Sequence, residues 1–151
     1  MVGIHLRQFK LKMKEFKEVE TKRFSLNEST HTLLRRWAKA HLIDEDEIDN
    51  LPRIGLITTY QNSPIVVAFL REVEGHRCII DSLMCDPESD LNIRLKALDQ
   101  MGEALVEEAK FHHFKGIIGL TTNKRVMNRA LKLGFQIQKH RLYSMTLKGQ
   151  N

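Results

Sequence analysis

The sequence predicts one α/β (α+β) domain in the order β-α-β-β-β-α-β-α-β. Three observations carry this reading. After Pro52, the β-rich runs RIGLITTY, SPIVVAFLREVE and RCIIDSLMC follow one another, separated by breaks short enough for hairpins. An amphipathic stretch over residues 90–114 then separates the third run from the uncharged GIIGLTT. A strand, a helix of that length and a second strand form a parallel, right-handed unit. Last, Asn123 and Gly134 bracket a short helix, the one preferred as an N-cap and the other as a left-handed stop.

Taken in order, residues 3–14 alternate Ile4 and Leu6, then Phe9, Leu11 and Met13, with the phase slipping near Arg7. That fits a first strand with a bulge or turn. In the following helix Ser25 and Glu28 form a capping box, with a start at Ser29 or Thr30 as the alternative. Leu33, Leu34, Trp37, Ala38, His41 and Leu42 make one apolar stripe at helical spacing, Trp37 and His41 reading as core and core edge. DEDEIDN, residues 44–50, reads as an acidic loop. Three meander strands follow, the third ending at Asp86-Pro87. The long helix lines Ile93, Ala97, Leu98, Met101, Leu105, Val106 and Ala109 on one face. In the last helix Val126, Met127, Ala130 and Leu131 should face inward, and FQIQKHRLYSMTL closes the chain as a long or bent strand.

At 151 residues the chain is one domain, large enough to bury a core without disulfide or metal. Its apolar content of 42% and charged content of 28% are those of a globular protein. The longest apolar run, residues 64–70, is far short of a membrane span, and the N-terminus lacks the continuous apolar core of a signal peptide. The expectation is a cytoplasmic protein. Cys78 and Cys85 fit no metal spacing; as residues of one regular strand they should point to opposite faces as buried thiols, and no metal site is expected. The net charge of +5 concentrates at the two ends, which could suit a polyanion or a phosphorylated cofactor. No basic–aromatic interleaving supports a nucleic-acid partner.

The order of elements resembles that of the GNAT superfamily of N-acetyltransferases. LMCDP is similar to the family's central strand ending in an apolar residue, a variable one and Pro. Asn123, with Gly134-Phe135 eleven residues later and a strand beyond, resembles the family's later helix. The resemblance covers residues 53–147 and implies a mixed, mostly antiparallel central sheet of about six to seven strands with helices on both faces. It implies that the central strand and GIIGLTT splay apart, leaving backbone groups that pair with the pantetheine arm of acetyl-CoA or coenzyme A. Leu83, Met84 and Cys85 would offer those groups, and Asn123 could bond the arm.

The family's pyrophosphate loop, Arg/Gln-x-x-Gly-x-Gly/Ala, is absent. Arg94, Ala97 and Asp99 fit its spacing with Ala and Asp for the glycines; anchored on Pro87, Ile93 and Leu95 fall there instead. What remains is a helix N-terminus. Asn92, Ile93, Arg94, Lys96 and Ala97 are the candidates around it, and Arg129 on the basic later helix could meet an outer phosphate. The family's Tyr acid, seven residues after the Asn, is Ala130 here; Tyr143 on the last strand is the candidate substitute. Asp81, expected in phase with Leu83 and Cys85 on a buried strand, is the candidate base, its pKa expected to rise. The resemblance implies acetyl transfer to an amine on a small molecule or protein; the alternative is a GNAT-fold binding, regulatory or assembly module that has lost catalysis. The long last strand could pair across a homodimer.

Overall fold

The computed structural model describes residues 18–138. The expected strand at residues 3–14 lies outside them, as does the expected closing strand from residue 139 on, Tyr143 included; its first four residues, 135–138, are described and form no strand.

The described residues build a five-stranded sheet in the order β1-β2-β3-β4-β5. Strand β1 (Val19–Arg23) pairs antiparallel with β2 (Ile54–Tyr60), β2 with β3 (Ser63–Val73) and β3 with β4 (Arg77–Cys85), while β5 (Gly116–Ile118) runs parallel to β4. The mixed, mostly antiparallel α/β architecture is the one expected. Strand β1 was not anticipated from sequence. Only Val19 of its five residues is buried, so it shows no run of apolar residues to read. Gln61 and Asn62 both take positive φ, as a two-residue hairpin turn between β2 and β3 requires.

Strand β3 is apolar on both faces because both are covered. Val66, Ala68 and Leu70 pack with Ala97, Met101, Leu105 and Ala109 of helix α3 (Leu91–Phe111). Val67 and Phe69 turn to the other face, against Leu34, Trp37 and Ala38 of helix α1 (Glu28–Ala40) and Ile48 of helix α2 (Glu45–Asp49). The supposed acidic loop is thus a helical turn that buries its one apolar residue, with Glu45, Asp46 and Glu47 placed favourably at its N-terminal dipole. Helix α1 is capped by Asn27 rather than by Ser25. The Thr30 N–H donates to Asn27 Oδ1 at 3.0 Å, and the Asn27 N–H donates to Thr30 Oγ1 at 2.8 Å.

Helix α4 (Lys124–Lys132) lies alongside α3. A side chain on Gly102 would meet Leu133 Cδ1 at 2.7 Å, and Arg129 Nε pairs with Asp99 Oδ1 at 3.3 Å. No residue of α4 is fully buried. Met127 and Ala130 are half-buried, but Val126 and Leu131, expected to face inward, are exposed.

Candidate functional site

The ladder between β4 and β5 has three rungs, Arg77–Gly116, Cys78–Ile117 and Ile79–Ile118. Beyond the last of them β4 continues to Cys85, whereas residues 119–123 run on without strand pairing to the cap of α4. The two segments part there. A bulge in β4 accompanies the parting. Val67 faces Met84 and Phe69 faces Asp81, so two steps along β3 oppose three along β4. Ser82, inside the bulge, takes φ of +52°, and the extra residue bends and twists the strand locally.

The bulge also resets the phase of β4. Cys78 and Cys85 were expected on opposite faces, yet both lie on the α3 face, because one added residue restores parity across seven. Asp81 is likewise not in phase with Cys85. It stands opposite Phe69 and shares the α1 face with Met84. Burial pushes the Cys78 thiol above its ordinary range. Burial does the same to Cys85, the Arg94 guanidinium drawing it partly back and Asp86 adding to the rise.

Asp81 is half-buried rather than enclosed. Arg71 Nε donates to its Oδ2 at 2.6 Å and Ser82 Oγ donates to Oδ1 at 3.0 Å. Arg71 Nη2 also donates to the Asn50 carbonyl at 2.8 Å, which ties the end of α2 to the central strand.

The start of α3 is capped by its own chain. Asp90 Oδ1 accepts the Asn92 N–H at 2.8 Å, and Asp86 Oδ1 accepts the Glu88 N–H at 3.0 Å. Arg94 donates from Nε to Ser89 Oγ and from Nη2 to the Ser89 and Pro87 carbonyls, bracing the loop from within. Asp86, Glu88 and Asp90 give this entry a negative charge. Asn92 is exposed, Ile93 is half-buried against the α3-face core, and Ala97 is wholly buried in that core. Lys96 is exposed on the second turn.

Across the splay, Asn123 Oδ1 accepts the N–H groups of Arg125 at 2.9 Å and Val126 at 3.4 Å, so it caps α4 as expected. Gly134 takes φ of +99°, the Phe135 N–H reaches back to the Ala130 carbonyl, and the Gly134 N–H reaches that of Leu131. This paired closure is what a glycine just past a helix end permits. Phe135 approaches Gly119, where β5 has ended. The helix therefore stops in Gly-Phe so that it can fold back over the parted strands. Ala130 leaves α4 without a hydroxyl at the position where an acid was sought.

Leu83, Met84 and Cys85 all lie beyond the last shared rung. The Asp86 N–H donates to the Ile65 carbonyl at 2.7 Å, so the neighbouring Cys85 turns its own N–H and C=O away from β3, toward the parted side. There they meet His41, a residue that sequence reasoning placed only at a core edge. Its Nε2 lies 2.8 Å from the Cys85 carbonyl oxygen and 3.4 Å from the Cys85 nitrogen. The signal was available: His41 follows Trp37 by one helical turn, on the face of α1 that the sheet covers. Among the described residues no cluster of His, Cys, Asp and Glu could hold a metal, and no helix is long and apolar enough to cross a membrane.

By sequence, no family model and no curated protein matches this chain. By structure, it superposes on a predicted acetyltransferase from Clostridium acetobutylicum, solved with acetyl-CoA, at TM-score 0.61 and 18% identity over 84% of this chain and 96% of that one. The chain has the GNAT fold. A GNAT-family acetyltransferase from Streptococcus pneumoniae matches at TM-score 0.60 and 10% identity, over 87% of this chain and 99% of its own. An acetyltransferase from Streptococcus agalactiae matches at TM-score 0.62 and 15% identity, over 86% and 91% respectively. The likeness is one of architecture.

Proposed function

We propose that this chain is an acyl-CoA-dependent N-acyltransferase that takes its donor, acetyl-CoA, into the splay between β4 and β5 and passes the acyl group to an amine. The observation that carries this is the early end of the β4–β5 ladder at Ile79 and Ile118, with β4 extending to Cys85 beyond it. A strand edge left with unpaired N–H and C=O groups accepts an extended, amide-bearing partner. The pantetheine arm fits that description. When bound, the donor supplies an activated thioester carbonyl.

The chain's own groups then have definable tasks. Leu83 and Cys85 hold the arm along the β4 edge, Met84 between them having turned its backbone to Val67 of β3, and Asn123 holds it from the opposite lip while capping α4. Arg71 and Ser82 fix the Asp81 carboxylate on the strand, and we assign Asp81 as acceptor of the proton from the incoming amine. Tyr143 is assigned as proton donor to the departing sulfur. The arm's site fits better than the diphosphate's. Asp90 and Asp86 already occupy two N–H donors near the start of α3, and Arg94 spends its donors on the loop. Of the other candidates around that helix, Ala97 is closed in the core, Ile93 packs against it and Arg129 is paired with Asp99, which leaves the exposed Asn92 and Lys96 as the residues nearest a phosphate.

That self-capped helix start favours a second reading, a GNAT-fold binding or assembly module without turnover. Calorimetric titration with acetyl-CoA, and with coenzyme A beside it, separates the two. Micromolar binding supports the transferase, and absence of binding at millimolar ligand removes it.

A further inference from the structure

The edge rung that β4 should offer at Cys85 is occupied by a side chain. His41, following the last turn of α1, brings Nε2 to 2.8 Å from the Cys85 carbonyl oxygen and 3.4 Å from its nitrogen. One nitrogen cannot donate and accept at once. The shorter distance makes Nε2 the donor, its N–H directed at the Cys85 carbonyl. In this state the imidazole plays the part of an amide N–H from a neighbouring strand. Two features of the fold put it there. The Asp86–Ile65 bond makes Cys85 turn its backbone outward, and the end of β5 at Ile118 leaves that side without a strand among the described residues. The ring itself is exposed, so it has room to turn.

We propose that His41 is a positioning residue of the donor site: its imidazole holds the outer rung of the β4 edge at Cys85 and is exchanged for an amide of the pantetheine arm when the donor binds. This rests on the acyl-donor reading above and adds a residue to it. The exchange swaps one hydrogen bond for another, so the edge carbonyl stays satisfied in both states. Donor binding must displace the imidazole first, and that displacement lowers apparent affinity by the fraction of molecules in which the rung is free.

The test compares wild type with His41→Ala and His41→Gln in calorimetric titrations with acetyl-CoA, alongside ¹⁵N NMR of the His41 ring. Removal of the competitor should lower the Kd of His41→Ala by about two- to tenfold, the range set by one ordinary hydrogen bond. Gln, which restores a donor of similar reach, should return Kd toward wild type. In wild type the Nε2 signal should report a hydrogen-bonded N–H without ligand and lose it at the same ligand concentration that saturates binding. Equal or weaker binding by His41→Ala, or an Nε2 signal unmoved at saturation, overturns the proposal and leaves the donor reading intact. If neither wild type nor His41→Ala binds acetyl-CoA, the donor reading itself fails and this proposal with it.

Discussion

Ile79 and Ile118 form the last rung shared by β4 and β5, and everything assigned to this chain lies past that pair. Up to it the sheet is an ordinary continuous ladder. Past it, the Ser82 bulge bends β4 while residues 119–123 run to the cap of α4, so the sheet opens at one end only.

The carboxylate of Asp90 at the start of α3 opposes a phosphorylated ligand. In Asp90→Ser a hydroxyl keeps the cap while the charge goes, so the melting temperature should change little. Affinity for acetyl-CoA should rise about two- to fivefold at low salt, by the usual worth of one charge at a helix N-terminus. The gain should shrink as salt screens it, and should be missing for pantetheine, which carries no diphosphate. Parallel titrations with the two ligands read this out.

Asn123 has two tasks under the donor reading, and they come apart by substitution. Asn123→Asp keeps a side-chain oxygen, now of a carboxylate, to accept the Arg125 and Val126 N–H groups, whereas Asn123→Ala removes it. Alanine should cost about 1 kcal/mol in chemical denaturation. Aspartate should hold stability and still weaken donor binding, since it loses the side-chain N–H that could serve the arm.

For Asp81 the measurement is the pH dependence of acyl transfer once an acceptor is in hand. Asp81→Asn should lower turnover by about 10²- to 10⁴-fold. Its stability should fall by no more than about 1 kcal/mol, because the Arg71 pair it breaks is partly exposed and solvent-screened. A turnover and profile like wild type would reduce Asp81 to a partner of Arg71.

Both thiols should alkylate slowly at neutral pH, since burial raises each above its ordinary range and keeps the thiolate scarce. Cys85, half-buried, should react before the enclosed Cys78, and the two should converge in urea. The sign for stability follows. Above the unfolded thiol range the unfolded chain loses protons first, so stability falls with rising pH until the folded thiols ionise too. Denaturation midpoints through mildly alkaline pH, for wild type and Cys85→Ser, check the direction.

A side chain at Gly55 would strike the Phe69 ring at 2.6 Å, with Phe24 on the far side of the contact. Gly55→Ala should cost about 1–3 kcal/mol through overpacking. Combining it with Phe69→Leu should recover part of that loss in a double-mutant cycle, as expected for residues in direct contact.

Much of this molecule is local and was readable as such. The three-strand meander, the length and inner face of α3, the cap at Asn123 and the stop at Gly134 follow from alternation, helical spacing and the backbone preferences of single residues. Even the apolar run of β3 announces a strand covered on both faces. Strand β1 escaped because an edge strand buries little, and α2 because four acidic residues conceal one buried Ile48. What tertiary structure alone decided is the phase and the company of β4. A one-residue bulge at Ser82 has no strong sequence signature, yet it puts Asp81 and Cys85, which strict alternation places on one face, on opposite faces of the sheet. The self-braced loop under Arg94 and the His41–Cys85 contact join residues 5 and 44 positions apart in the chain. Periodicity reports which side of an element is buried. It does not report which backbone edge that side meets, because that depends on where a neighbouring strand ends.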